Sequence, residues 1–384
     1  MTEVFIGDLR TGRRLLPLPI TQGSWSTELN DAGSITATVQ LDSDEAAGLD
    51  LKSAATPGKS FLAWEENDTI QEAGPIWAHV YDKDKCTLTL TAKGMWSYFD
   101  HRVLLQLAAA TSPFFIPDPE DATKFVPNPA LDTNLAALSL GTIAKRLVQQ
   151  ARAWTGGNVP VLLPADEAGI HERNYEAVDL HIIGDLLGDL TNVENGPDIE
   201  FTPRRTADRQ GVEWVMRTGT NARPRLGITE NPHRWDYSVP EPTIHGFRSQ
   251  VSASKLTGRT WLTGGRSADL PLLVSGSSSV LTDTGFPLLE LVDTSHSSVV
   301  DSATLQGYGD ESVRTGWRPT EFWSFDVQGD VAPKVGEYRV GDSCRLVMGG
   351  DYYVPDGTYD RRIVSLSGTE QADWIKVTTG EVYA

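Results

Sequence analysis

Two stretches near opposite ends of this 384-residue chain carry the same spacing of glycines. The first runs from Gly58 through Ser60 to Trp64, turns, and resumes at Gly74 to reach Tyr81. The second runs from Gly341 through Ser343 to Val347, turns, and resumes at Gly357 to reach Ile363. In both, sixteen residues separate the two glycines, and an offset of 283 carries Ser60 onto Ser343. A further strand-like segment follows each stretch, Cys86 to Thr91 before Gly94 and Asp373 to Thr379 before Gly380. At that offset Ile76, Ala78 and Val80 fall opposite Tyr359, Arg361 and Ile363, with Arg361 the one break in the apolar match. Any two β-meanders place glycine at their turns; the alternative is two related small barrels with other material inserted between them.

The pattern around these stretches is that of strands. From Ser34 to Leu41, Ile35, Ala37, Val39 and Leu41 alternate with Thr36, Thr38 and Gln40, the period of two that marks a half-buried antiparallel strand. Asn30 to Gly33 before it reads as a tight turn, and Trp25 and Leu29 alternate on the preceding strand. Ile76–Tyr81 and Cys86–Thr91 read as a hairpin around Asp82 to Lys85. The character changes after His101: Leu104 to Ala110 starts a short helix, and prolines 113, 117, 119, 127 and 129 space out a long ordered loop. Leu140, Ile143, Ala144, Leu147, Val148 and Ala151 then recur at helical spacing, closed by Gly156 and Gly157. A second helix is predicted from Asp179 as N-cap, with Ile182, Ile183, Leu186, Leu187 and Leu190 on its apolar face. A hairpin is predicted over 198–218. The Ser/Gly/Thr-rich stretch 249–316 yields one strand at Thr260–Leu262 and another near Leu288–Val292, and strands return from 322 to the end.

Charge excludes one class of partner. The chain has 33 Lys+Arg against 52 Asp+Glu, a net charge of −19, which is unsuited to gripping phosphate backbones or anionic membrane. The opening residues lack a basic segment followed by an apolar one, and no run approaches the ~18 apolar residues of a membrane span. Cys86 and Cys344 do not form a CxxC pair, and each is expected to be a small buried hydrophobe in a strand.

Catalytic and cofactor motifs are missing. There is no glycine-rich phosphate loop, no GxSxG, and His171-Glu172 is not followed by the second histidine of HExxH. The other histidines are isolated, and Asp82 to Lys85 lacks the glycine and distal glutamate of a calcium loop. No catalytic residue, cofactor site or metal site is therefore assigned. Trp25, Trp64, Trp77, Trp214 and Trp374 lie in apolar alternation and are expected in the core, whereas Trp261, Trp317 and Trp323 flank polar or turn residues and are candidates for exposure.

Taken together, Gly23–Ile35, Gly74–Trp77, the helix-to-strand passage Val178–Leu187 to Gly196–Phe201, and the strand entry Tyr338–Asp342 resemble the hub and minor tail proteins of phage tail tips and baseplates. The resemblance implies a mainly β fold with α+β inserts, two similar small antiparallel β-barrels interrupted by two insert domains. It divides the chain into a first barrel at 1–103, a helix-containing insert at 104–196, a second barrel at 197–249 and 322–384, and a Ser/Gly-rich second insert at 250–321. It further implies a non-enzymatic homotrimer in the virion, assembled in the host cytoplasm, which matches a sixfold tail tube to a threefold tip. The implied neighbours are a distal tail protein ring, the tape measure protein and further tip proteins. DNA would pass through without specific binding, and the host surface would be met only indirectly. Phe322, Trp323 and Phe325 are the candidate interface between subunits. Two alternatives remain, a carbohydrate- or receptor-binding tail module and a cell-wall glycan hydrolase. The last strand ends close to Ala384, so a lytic domain after it is not expected.

Overall fold

The computed structural model describes residues 2–193, 195–229, 231–240, 242–267, 270–296, 299–370 and 373–381. The fold is mainly β, and a 13-stranded sheet dominates it. Its strands in chain order are β1 (Thr2–Asp8), β2 (Arg14–Pro17), β3 (Ile20–Glu28), β4 (Ser34–Gln40), β5 (Ser60–Glu66), β6 (Thr69–Asp82) and β7 (Thr87–Lys93) in the first half. The second half supplies β8 (His233–Asp236), β9 (Ile244–Ser252), β10 (Thr320–Gln328), β11 (Ser343–Met348), β12 (Gly357–Thr369) and β13 (Trp374–Glu381).

The halves share one strand order. The first runs β3–β4–β7–β6–β5–β1–β2 and the second runs β9–β10–β13–β12–β11–β8, and the two join where Ser365–Thr369 of β12 pairs antiparallel with Ser24–Glu28 of β3. The registers correspond as well. Ile35 pairs with Ala92 and Ala92 with Ile76; Trp323 pairs with Thr379 and Thr379 with Ile363. A one-residue irregularity follows Ile76 in β6 and Ile363 in β12. Ile76 is therefore the counterpart of Ile363, not of Tyr359 as the glycine spacing suggests, and Arg361 is the counterpart of Gly74. The apparent mismatch at Arg361 disappears because the β11–β12 connection is longer than the Asn67-Asp68 turn between β5 and β6. A difference survives at the far side: β5 pairs antiparallel with β1, whereas β11 pairs parallel with β8.

Alternation along these strands builds one apolar core under both halves. Ile35, Ala37 and Val39 of β4 point into it, as do their counterparts Trp323, Phe325 and Val327 of β10. A second core lies on the outer face of the first half. Phe5, Phe61, Ala63 and Ala73 face outward there and are covered by helix Leu140–Ala153, helix Ile183–Asn192 and a small sheet of Val161–Leu162, Val212–Thr218 and Ile199–Arg205. Every residue of β5 is buried, since each of its faces meets a different core.

Several local expectations need correction. The 198–218 hairpin forms, but it joins Val161–Leu162 and the insert core rather than the large sheet. Helix Leu140–Ala153 is capped by Ser139, whose side chain accepts from the Thr142 N–H. Asp179 does not cap the second helix: Leu180 takes a left-handed φ of 50°, and the helix begins at Ile183. Leu104 to Ala110 gives only a 3₁₀ turn at Leu107–Ala110. The Ser/Gly-rich insert folds as a three-stranded sheet, in the order Leu270–Ser277, Arg259–Ser267, Glu290–His296, with one face covered by helix Ser302–Thr315. Cys86 sits at positive φ in a half-exposed turn, while Cys344 is buried in β11.

Candidate functional site

The three aromatic residues expected at an interface lie on one strand but not on one face. In β10 the alternation sends Trp323 (2% exposed) and Phe325 inward and Phe322 (37% exposed) outward. Trp323 packs edge-on against Phe247 and Tyr359, and the Arg361 guanidinium sits 4.3 Å from its ring centroid. Phe325 packs against Trp235. These two side chains hold the second half of the core together, and only Phe322 reaches the surface. Of the other tryptophans, Trp25, Trp64 and Trp214 are buried and Trp77 and Trp374 are half-buried, whereas Trp261 and Trp317 are exposed.

Phe322 borders a groove of about 600 Å³ where the second insert meets the large sheet. Its wall includes a buried ionic junction. Asp198, fully buried, accepts from the Arg362 guanidinium of β12, from the Leu226 N–H at 2.7 Å and from Asn30 Nδ2 at 3.2 Å. Asn30 returns a bond by accepting from the Ile199 N–H at 2.8 Å. One carboxylate thus ties together a turn of the first half, the first insert and a strand of the second half. On the other wall, His296 stacks on Tyr308 at 3.9 Å and lies 3.1 Å from Asp293. The Tyr308 hydroxyl donates to the Asp189 carbonyl at 3.4 Å, linking the two inserts. Burial pushes Asp189 up from the usual carboxylate range and pushes the Tyr308 phenol up to about 12.

A second charged position lies at the seam of the first half and its insert. Glu72 of β6 is buried and accepts from the Ala73 N–H at 2.9 Å. Desolvation pushes it up to about 8, helped by the nearby carboxylates Glu200 and Glu28. Gly33 is needed beside it, since a Cβ there would lie 2.2 Å from the Ser26 carbonyl oxygen as well as 2.1 Å from Glu72 Oε2. Glu200 is itself raised by burial, against the pull of Arg217 at 2.8 Å.

Chemically, these groups are occupied in holding elements together. Among the described residues no cluster of three or more His, Cys, Asp or Glu is arranged to hold a metal ion. Burial raises the Cys344 thiol far above its ordinary range, which suits a packing residue rather than a nucleophile. The Asp198–Arg362 junction had no signal in the sequence, because an Asp before a strand and an Arg pair within one look like solvated residues until the two strands meet.

The fold is that of bacteriophage tail proteins. Over 99% of this chain and 96% of the other, it matches the tail protein from Neisseria meningitidis MC58 with a TM-score of 0.54 at 12% identity. It matches the 43 kDa tail protein of prophage MuSo2 from Shewanella oneidensis with a TM-score of 0.52 at 11% identity, over 99% of this chain and 98% of that one. No family model and no curated protein matches the sequence.

Proposed function

We propose that the chain is a structural hub of a phage tail tip, a non-enzymatic virion component. In this reading three copies form a ring around the DNA exit channel. Each copy contributes two like barrels, giving six similar lobes to the tail tube and threefold symmetry to the tip. The observation that carries the proposal is the shared strand order and register of the two halves, on a fold common to tail proteins. Closure of the second half is supported by Tyr237, just past β8, whose hydroxyl donates to the His245 carbonyl of β9 at 3.1 Å and whose ring packs on Phe247. The distal tail protein ring, tape measure protein and other tip proteins are the partners this role requires. A net charge of −19 suits a channel that DNA crosses without binding. Cryo-electron microscopy class averages of the purified chain at high concentration test this. Threefold rings with six similar lobes are expected, and a compact monomer at every concentration contradicts it.

One feature favours glycan binding as a second reading. Trp261 lies on the uncovered face of the second insert's sheet, its indole N–H donating to Glu290 at 3.0 Å with the Arg259 guanidinium 5.8 Å from its ring. A ring fixed in this way is a stacking platform. Binding of the chain to host cell walls, lost in Trp261→Ala, is the expected result; unchanged sedimentation with walls in both proteins removes this reading.

A further inference from the structure

The two halves differ at one hairpin of the repeat. Between β5 and β6 the chain turns through Asn67 and Asp68, both at positive φ. Between β11 and β12 the corresponding turn is expanded into residues 349–356, which place Tyr352 (109% exposed) and Tyr353 (78% exposed) in solvent. The loop is built to hold them there. Asp351 Oδ1 accepts from the Tyr353 and Val354 N–H groups at 2.7 Å each, Asp356 Oδ1 accepts from the Gly350 N–H at 2.8 Å, and Val354 is sunk in the core. Two tyrosines on a braced loop offer a large contact area at little cost in conformational entropy.

A second feature lies at the other end of β12. A cavity of about 130 Å³ is floored by Ile70, Pro203 and Leu366, and bordered by Tyr338 and Arg339. That volume suits a single side chain, since small-molecule sites need ~300–1,000 Å³. Tyr338 is 1% exposed, and its hydroxyl makes no hydrogen bond among the described residues. The other charged residues around the cavity are engaged: Arg204 with Glu213, Arg205 with Glu65, Asp68 with Arg209 and Glu200 with Arg217. Arg339 is exposed, makes no ion pair within 4.0 Å among the described residues, and acts on Glu200 through its charge.

We propose that this cavity receives the 349–356 loop of a second copy of this chain. A tyrosine ring fills the apolar floor beside Tyr338, and the Asp351 and Asp356 charges face Arg339. The loop carries two acids and no base, and the cavity is lined by three arginines, Arg204, Arg205 and Arg339, against two carboxylates, Asp68 and Glu200, so the surfaces complement each other. Loop and cavity lie at opposite ends of β12, roughly 30 Å apart at ~3.3 Å per residue, so one chain cannot satisfy both. The contact is therefore head-to-tail, the kind that closes into rings when the rotation permits. It rests on the reading of the chain as a self-assembling hub, and names the contact between its subunits.

The test uses the full chain in sedimentation velocity over a concentration series. Y352S/Y353S and R339E are each expected to weaken self-association at least tenfold, and their combination to weaken it no further, since both remove one contact. In a Cys86→Ser background, a Tyr353→Cys copy mixed with an Arg339→Cys copy should form an intermolecular disulfide that neither forms alone. Rings that persist in the variants, with no cross-link in the mixture, overturn this contact and leave the hub reading standing. A wild-type chain that neither associates nor forms rings overturns both. Protection of the tyrosines only when another tail protein is added assigns the loop to that partner and also overturns the proposal.

Discussion

The two halves of the large sheet share an order of strands but not an environment. In the first half, the outer face of β5 is roofed by the helices and hairpin of the insert, so Phe61 and Ala63 are buried. In the second half, the counterpart of Ala63 is Arg345, exposed and paired with Asp360 at 2.6 Å. The same strand is thus sandwiched in one copy and one-sided in the other. The difference teaches that the inward alternation belongs to the repeat, while the outward residues adapt to whatever covers them.

That comparison is broken most directly by exchanging the outward residues. Ala63→Arg should leave the chain unable to fold cooperatively, because an unpaired charge would be forced between two cores, at a cost above about 4 kcal/mol. Chemical denaturation followed by tryptophan fluorescence checks this, and a normal unfolding midpoint would contradict the two-sided burial of β5. Asp198→Ala should cost about 3–5 kcal/mol by leaving the Arg362 guanidinium buried without its anion. The same measurement reads it, and a loss under 1 kcal/mol would show that the halves do not depend on this junction.

Next in size is the pH dependence of the first half. Glu72 has its folded-state value raised from an ordinary 4.5 to about 8, so folding retains a proton that the unfolded chain releases. Stability from this group is intact below about pH 4.5, falls as pH rises, and is fully lost above about pH 8. Glu72→Gln should flatten that fall, by several kcal/mol across the window, when unfolding is compared with wild type at pH 5 and pH 8.5. Parallel pH profiles for the two proteins would show that the carboxyl is not held neutral.

A contrast between neighbours sharpens the comparison within β10. Trp323→Ala should destabilise the chain by about 3–5 kcal/mol, whereas Phe322→Ala should change folding by less than about 1 kcal/mol and act, if at all, on assembly. Thermal unfolding beside sedimentation velocity separates the two. Arg345→Ala, at the exposed counterpart of Ala63, should stay within ±0.5 kcal/mol, since its ion pair is solvated.

Much of this architecture was legible along the chain. The alternation in Ser34–Leu41, the helix from Leu140 and the likeness of 58–94 to 341–380 all rest on near-neighbour spacing, which any reader can count. The register of the repeat was not legible, because aligning glycines ignores a hairpin of different length, and the shift moved Arg361 from opposite Ala78 to opposite Gly74. Helix Ser302–Thr315 was hidden by two glycines and by an apolar face of only Leu305, Tyr308 and Val313. At the candidate interface, the aromatic cluster at 322–325 was visible, but its division into two core residues and one surface residue depended on which face of β10 the core lies.

By itself the sequence determined a mainly β chain with the same glycine spacing near both ends, a helical insert, an acidic balance and no catalytic motif. These follow from periodicity, composition and turn residues, which act over a few positions. Only the tertiary structure decided that the 198–218 hairpin roofs the first half, that Asp198 meets Arg362 across 164 positions of chain, and that Glu72 is left among other carboxylates. Those outcomes depend on which faces are brought together, and a buried charge acquires its partner and its proton only when distant strands close around it.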